Sequence, residues 1–167
     1  MTRSGSPPGA DHDHRLCVEA AIADAQAICA ARGGRLTALR RRVLELVWAS
    51  HRPVGAYAIL DALDRRGGAG APPTVYRALE FLLAHGLIHR IESLNAYVGC
   101  SRPGHRNAGQ FLICLDCGNA AELDGGSVAA AVVAEATRLG FAVERQTVEV
   151  SGLCADCTVD PEAADVG

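Results

Sequence analysis

The chain has no lysine, and it is poor in aromatics: one tryptophan, three tyrosines and three phenylalanines in 167 residues. Every fixed cation is therefore an arginine, 16 in all. So few aromatic rings do not suggest a large nonpolar ligand pocket. No run approaches the roughly 18 apolar residues of a membrane span, and the opening MTRSGSPPGADHDH has no apolar secretory core. The expectation is a cytoplasmic protein with no membrane partner. No nucleophile–base pair or phosphate-cradling loop stands out, so neither catalysis nor a small-molecule substrate is expected.

What is present divides the chain in two. With 49% apolar residues, 167 residues suffice for one ordinary domain or two small ones. Residues 1–98 hold 12 arginines against 9 acids, a net of +3, and residues 99–167 hold 4 against 10, a net of −6, which together give the −3 of the whole. A basic first half joined to an acidic second half suggests a nucleic-acid-binding module attached to something else. Seven cysteines without a secretory signal argue for metal or thiolate chemistry rather than disulfides.

Residues 1–14 read as a disordered tail, in which the Asp11–His14 run is either a weak metal site or simply solvated. Helices are expected over 15–32, 37–49, 56–65 and 74–85. The first ends at Gly33-Gly34 and carries Cys17 and Cys29 as small apolar residues. Thr74 reads as the N-cap of the fourth, with Gly86 as its stop. Strands over 87–92 and 96–100 then form a hairpin. Helices followed by such a hairpin make a winged helix-turn-helix, assigned to residues 15–100. After a linker over 101–109 come strands 110–114 and 119–123, a helix over 127–139 and a last strand over 141–151, within a domain spanning 110–160. Residues 161–167 form a second tail. The fold class is α+β, a winged helix followed by a small α/β domain.

In the fourth helix Val75, Ala78, Leu79, Leu82 and Leu83 form the core-facing stripe. Tyr76 and Arg77 lie off it in the first turn, where unpaired N–H groups and the positive dipole end point outward. Arginine donates two bonds to guanine, tyrosine meets a thymine methyl or a phosphate, and Thr74 is placed to hold a phosphate. The competing reading pairs Arg77 with Glu80 or Glu45 on a solvated face.

Cys114-x-x-Cys117 and Cys154-x-x-Cys157 are the strongest motif. Four thiolates from two such turns form the closed tetrahedral sphere of a structural zinc. The rival is a pair of redox-active motifs, for which the thioredoxin-like context is missing. A second constellation follows from the hairpin. If it turns about Leu94, residue 89 pairs near 99 and His89 lies beside Cys100 at its base. With His105 in the linker and Glu122 on a later strand, the four ligands carry a charge of about −2, which neutralises zinc and suits a site between domains. Alternatively His89 packs in the wing and Glu122 is solvated.

The segments LTALRRRVLELV, PPTVYRALEFL, LIHRIESLNAYVGC and SGLCADC, with the paired CxxC turns, resemble the zinc uptake regulator branch of the ferric uptake regulator superfamily over roughly residues 20–157. The resemblance implies a homodimer with an α/β dimerisation domain that represses zinc-uptake genes by binding double-stranded operator DNA when zinc-loaded. It implies two zinc ions per chain: a structural one on Cys114, Cys117, Cys154 and Cys157, and a regulatory one on His89, Cys100, His105 and Glu122. Tyr57, Tyr76 and Arg77 match positions that contact bases, and Arg40 and Thr74 match phosphate contacts. The alternative within the superfamily is a sister regulator of iron, manganese or peroxide. Against it, AGQFLIC lacks the His-rich run those sensors carry before the first CxxC, Arg145-Gln146 offers no histidine, and a thiolate at Cys100 favours zinc.

Overall fold

The computed structural model describes residues 14–65, 71–103, 109–123 and 126–158. Helix α1 spans His14–Ala31, α2 Ala38–Val47, α3 Ala56–Asp64 and α4 Pro72–Ala84, with a two-residue strand β1 at Val54–Gly55. The hairpin β2 (Ile88–Ile91) and β3 (Ala96–Gly99) follows, then β4 (Gln110–Cys114), β5 (Ala120–Glu122), α5 (Gly126–Arg138) and β6 (Val148–Gly152). No described helix is long and apolar enough to cross a membrane.

The first four helices bury one core containing Ile22, Cys29, Leu44, Ile59, Val75, Leu79 and Leu82. Val75, Ala78, Leu79 and Leu82 are the buried residues of α4, so its opposite face is left to solvent. Cys29 is buried in the core, while Cys17 is half-buried. The wing is a three-stranded antiparallel sheet, β1-β3-β2. Strand β1, where only a chain break is expected from Pro53-Val54-Gly55, adds its edge through Val54↔Tyr97 and Gly55↔Ala96.

Three sequence expectations are corrected. Helix α4 starts two residues early, with Ala71 at its N-cap and Pro72 and Pro73 in its first turn. Proline lacks an N–H, and the first-turn N–H groups have no intrahelical partner anyway. Thr74 is therefore inside the helix rather than capping it. The wing register is His89↔Val98, not 89 with 99. That single step matters, because side chains alternate between faces with period two. With Ile88↔Gly99 paired, Leu87 lies opposite Cys100, its carbonyl bonding the Cys100 N–H at 3.1 Å, so His89 and Cys100 are diagonal neighbours on the same face. The last strand is also shorter than its alternating sequence suggests. Its partner β4 begins at Gln110, which pairs with Val148, so earlier residues have no ladder to join.

The second sheet has the order β5-β4-β6, antiparallel on one side and parallel on the other. Phe111, Ile113 and Ala120 on one face pack with Ile91 and Val98 of the wing in a separate buried cluster. The winged helix and the second sheet thus meet through apolar side chains. The opposite face carries the cross-strand pair Leu112↔Val150, both exposed.

Candidate metal centres and nucleic-acid interface

The four-cysteine cluster is assembled by two tight turns. At the end of β4 the chain reverses through Leu115-Asp116-Cys117, closed by a bond from the Gly118 N–H to the Cys114 carbonyl at 3.0 Å, with Gly118 at φ +73°. Only glycine adopts that conformation without strain. After β6, the Cys157 N–H bonds the Cys154 carbonyl at 3.0 Å, making the second turn. The parallel pairing of β4 and β6 ends at Cys114↔Gly152 and so brings the turns together. All four sulfurs lie within 4.8 Å of one another.

This arrangement suits a tetrahedral zinc. At a Zn–S distance of about 2.3 Å, adjacent thiolates stand about 3.8 Å apart, and Cys117 Sγ lies 3.8 Å from Cys154 Sγ. The N–H of Cys154, with that of Cys117, lowers the Cys114 thiol to about 6, so it is ionised at neutral pH. Cys117 is raised: burial and the thiols of Cys114 and Cys154 outweigh the lowering by the Asn119 N–H. Cys157 is raised first by Asp116 and then by Cys154. Crowded thiols cannot all ionise without a cation among them.

The second cluster joins the two sheets. His89 of β2 and Cys100 beyond β3 come from the wing, and Glu122 ends β5. Their ligand atoms also lie within 4.8 Å of one another. His89 Nε2 stands 3.2 Å from Glu122 Oε1, close to the roughly 3.4 Å edge of a tetrahedron with Zn–N and Zn–O bonds of about 2.1 Å. Yet Nε2 is buried and has no aligned hydrogen-bond partner. An orphaned imidazole nitrogen facing a carboxylate and a thiol fits a cation better than it fits a closed polar network.

Burial lowers the His89 imidazole, but Cys100 and Glu122 outweigh this and raise it to about 9. Burial raises Glu122, but His89 and Ser101 hold it below the usual carboxylate range. Ser101 was not legible as a site residue. Its hydroxyl donates to Glu122 Oε2 at 3.2 Å and orients the carboxylate, as groups behind metal ligands commonly do. Its place next to Cys100 was the available signal. The ring of Phe111 meets His89 edge-on at 5.3 Å. His105 lies outside the described residues.

Tyr57, at the start of α3, and Tyr76, in α4, are 78% and 39% exposed, so two of the chain's few aromatic rings face water. Thr74 and Arg77 are exposed beside Tyr76. The pairing of Arg77 with Glu45 is excluded, since Glu45 holds Arg41 and Arg42 at 3.0 Å each. Arg77 has no ion-pair partner among the described residues. Arg40 is differently placed from the others: half-buried, it donates to the Arg35 carbonyl at 2.7 Å, and its guanidinium lies over the Phe81 ring at 3.5 Å. It braces α2 against α4.

The arrangement is that of a winged helix joined to a metal-binding α/β domain. Residues 31–151 match the ferric uptake regulator family, and the chain belongs to that family. Within it the likeness runs to the zinc uptake branch: over 145 residues, 85% of this chain and 83% of the relative, it is 41% identical to the zinc uptake regulation protein of Escherichia coli (strain K12). A zinc uptake regulator complexed with zinc and DNA is 38% identical, covers 84% of this chain and 94% of its own, and superposes with a TM-score of 0.78. The holo form of XcZur is 42% identical over 87% of this chain and 98% of its own, with a TM-score of 0.76. Its apo form, 43% identical over 86% and 99%, gives only 0.51. At equal identity that gap is one of geometry, not sequence.

Proposed function

We propose that the chain is a zinc-responsive transcriptional repressor whose zinc-loaded homodimer binds double-stranded operator DNA and represses zinc-uptake genes. The convergence of His89 and Cys100 from the wing with Glu122 from the second sheet carries this reading. Relatives of the same branch are a zinc uptake regulation protein and a zinc uptake regulator complexed with zinc and DNA. The chain's likeness to the holo rather than the apo form of XcZur supports taking the arrangement as the closed one.

On this reading there are two zinc ions per chain. Cys114, Cys117, Cys154 and Cys157 hold a structural ion that fastens the end of the second domain to its start. His89, Cys100 and Glu122, with His105, form the regulatory site. When bound there, zinc supplies bonds that exist only while wing and sheet are together. The wing is continuous with the recognition helix: the Leu87 N–H bonds the Leu82 carbonyl at 2.9 Å, so fixing the wing fixes α4. Moving such a hinge from about 1:99 to 99:1 takes roughly 5.5 kcal/mol of differential affinity, well inside the 10–16 kcal/mol reached by structural zinc sites. Tyr57, Thr74, Tyr76 and Arg77 then face the major groove, with the two recognition helices about one helical turn of DNA apart.

The second copy covers the apolar surface that one chain leaves bare. Helix α5 buries none of its side chains, and Val128, Val132, Leu139 and Phe141 are exposed, as are Leu112 and Val150 on the outer face of the sheet. Apolar side chains left bare on a helix and on a sheet face in this way mark an interface.

Zinc per chain, measured after dialysis against buffered free zinc, tests the reading for the native chain and Cys100→Ser. Two ions of unequal affinity, the weaker lost in Cys100→Ser together with zinc-dependent DNA binding, is the expected result. One ion in both proteins overturns the regulatory site.

A further inference from the structure

Besides the apolar packing of Ile91 and Val98, polar contacts hold the wing at its base and at its tip, and the metal cluster accounts for only the first. His89 and Cys100 lie at the base of the hairpin. At its tip, Glu149 of β6 reaches across from the second domain. It pairs with Phe111 in the ladder, so its side chain shares the face that packs on the wing. Its carboxylate accepts the backbone N–H of Glu92 at 2.7 Å and of Ser93 at 3.1 Å. Burial raises the Glu149 carboxyl, but the Ser93 side chain and these two N–H groups together outweigh it and leave the group lowered. The turn it grips is internally braced: Arg90 donates to Asn95 Oδ1 at 2.9 Å, and the Asn95 N–H bonds the Glu92 carbonyl at 3.2 Å. Arg145 also contacts Glu92 at 2.8 Å, but the two side chains are 76% and 41% exposed, and an ion pair that open contributes little. Hydrogen bonds from peptide N–H groups to a charged carboxylate are the stronger interaction.

We propose that Glu149 is a positioning residue: a metal-independent latch on the wing turn that sets the free-zinc concentration at which the regulator closes. The proposal rests on the zinc-repressor reading above. The latch forms only when wing and second sheet are together, so it adds to the closed population before the regulatory ion binds. A ligand's apparent affinity scales with the fraction of its binding-competent state. Removing the latch therefore raises the zinc needed for closure while leaving the fully loaded state almost intact.

The test uses full-length protein retaining its four-cysteine zinc, and a duplex selected by the wild-type chain from a random library. Binding is titrated with buffered free zinc. In Glu149→Ala the half-maximal zinc concentration rises about three- to tenfold, as one partly exposed charge-assisted contact warrants. Affinity at saturating zinc stays within about twofold, and Arg145→Ala shifts the midpoint by less than about twofold. If Glu149→Ala loses the four-cysteine zinc, Glu149→Gln, which keeps the size and one acceptor oxygen, is read by the same criterion. An unchanged midpoint overturns the latch, as does an equal weakening at the midpoint and at saturation, the mark of a purely structural role. Zinc-independent binding by the wild-type chain brings down the repressor reading itself. Zinc-dependent wild type with an unshifted variant brings down the latch alone.

Discussion

His89 Nε2 lies 3.2 Å from Glu122 Oε1, although one residue belongs to the wing sheet and the other to the second sheet. Charge attraction holds the pair across the two sheets, since the buried nitrogen has no aligned hydrogen bond. Glu122→Ala removes the only carboxylate of the cluster and leaves the wing ligands without their cross-domain partner. Half-maximal DNA binding should then need at least about tenfold more free zinc, the scale seen when a group supporting a metal site is lost. The four-cysteine zinc is retained. A zinc titration of DNA binding unchanged from wild type would remove Glu122 from the regulatory site.

Arg77 offers a second test, independent of metal. It is exposed in the first turn of α4 with no ion-pair partner among the described residues. Arg77→Ala should cost about 1–3 kcal/mol of specific DNA affinity and relax selectivity at one base position. Zinc per chain should not change. Arg41→Ala is the control, since Arg41 already pairs with Glu45 and its loss should weaken binding less and without regard to sequence. Equal affinities of wild type and Arg77→Ala for all duplexes would refute the recognition role.

The winged-helix order was readable because its signals are local: helical periodicity, the stops at Gly33 and Gly86, then a change to strand period. The CxxC turns were readable for the same reason. What local signals miss is who faces whom. Pro72 and Pro73 look like loop residues until their missing N–H groups are seen to be harmless in a first turn. The wing register turned on one residue: His89↔Val98 puts the imidazole and the Cys100 thiol on one face, and pairing 89 with 99 would part them. Ser101 and Glu149 act through contacts 21 and 57 residues distant in sequence, which no spacing rule reaches. Arg40 was legible only as a match to a phosphate contact, and its turn onto Phe81 depends on how α2 packs against α4.

Val132 probes the second copy. It is 42% exposed in the single chain, on a helix that buries nothing, so a charge there disturbs no core. Val132→Asp should leave the chain folded and its four-cysteine zinc in place while shifting sedimentation toward monomer. DNA binding should fall with it, because one half-site supplies only part of the contact. An undiminished dimer would place the interface elsewhere.

Gly99 ties the wing to α2 through the one tryptophan. A Cβ built on Gly99 would stand 2.2 Å from Trp48 Cε2 and 2.4 Å from Nε1, a clash that demands movement of a whole indole or of β3. Overpacking of this kind costs about 1–3 kcal/mol, so Gly99→Ala should lower the urea midpoint accordingly. The damage does not stop at stability. Gly99 precedes Cys100 in the chain and pairs with Ile88 next to His89, so a shifted β3 carries the thiol away from the imidazole. Zinc affinity of the regulatory site should fall more than that of the four-cysteine site, which sits on a different sheet. Trp48→Phe makes room for the added methyl. The double variant Gly99→Ala/Trp48→Phe should therefore be less destabilised than the sum of the single changes, as expected for residues in contact. Strict additivity in urea unfolding would show that Trp48 is not what requires glycine at this position.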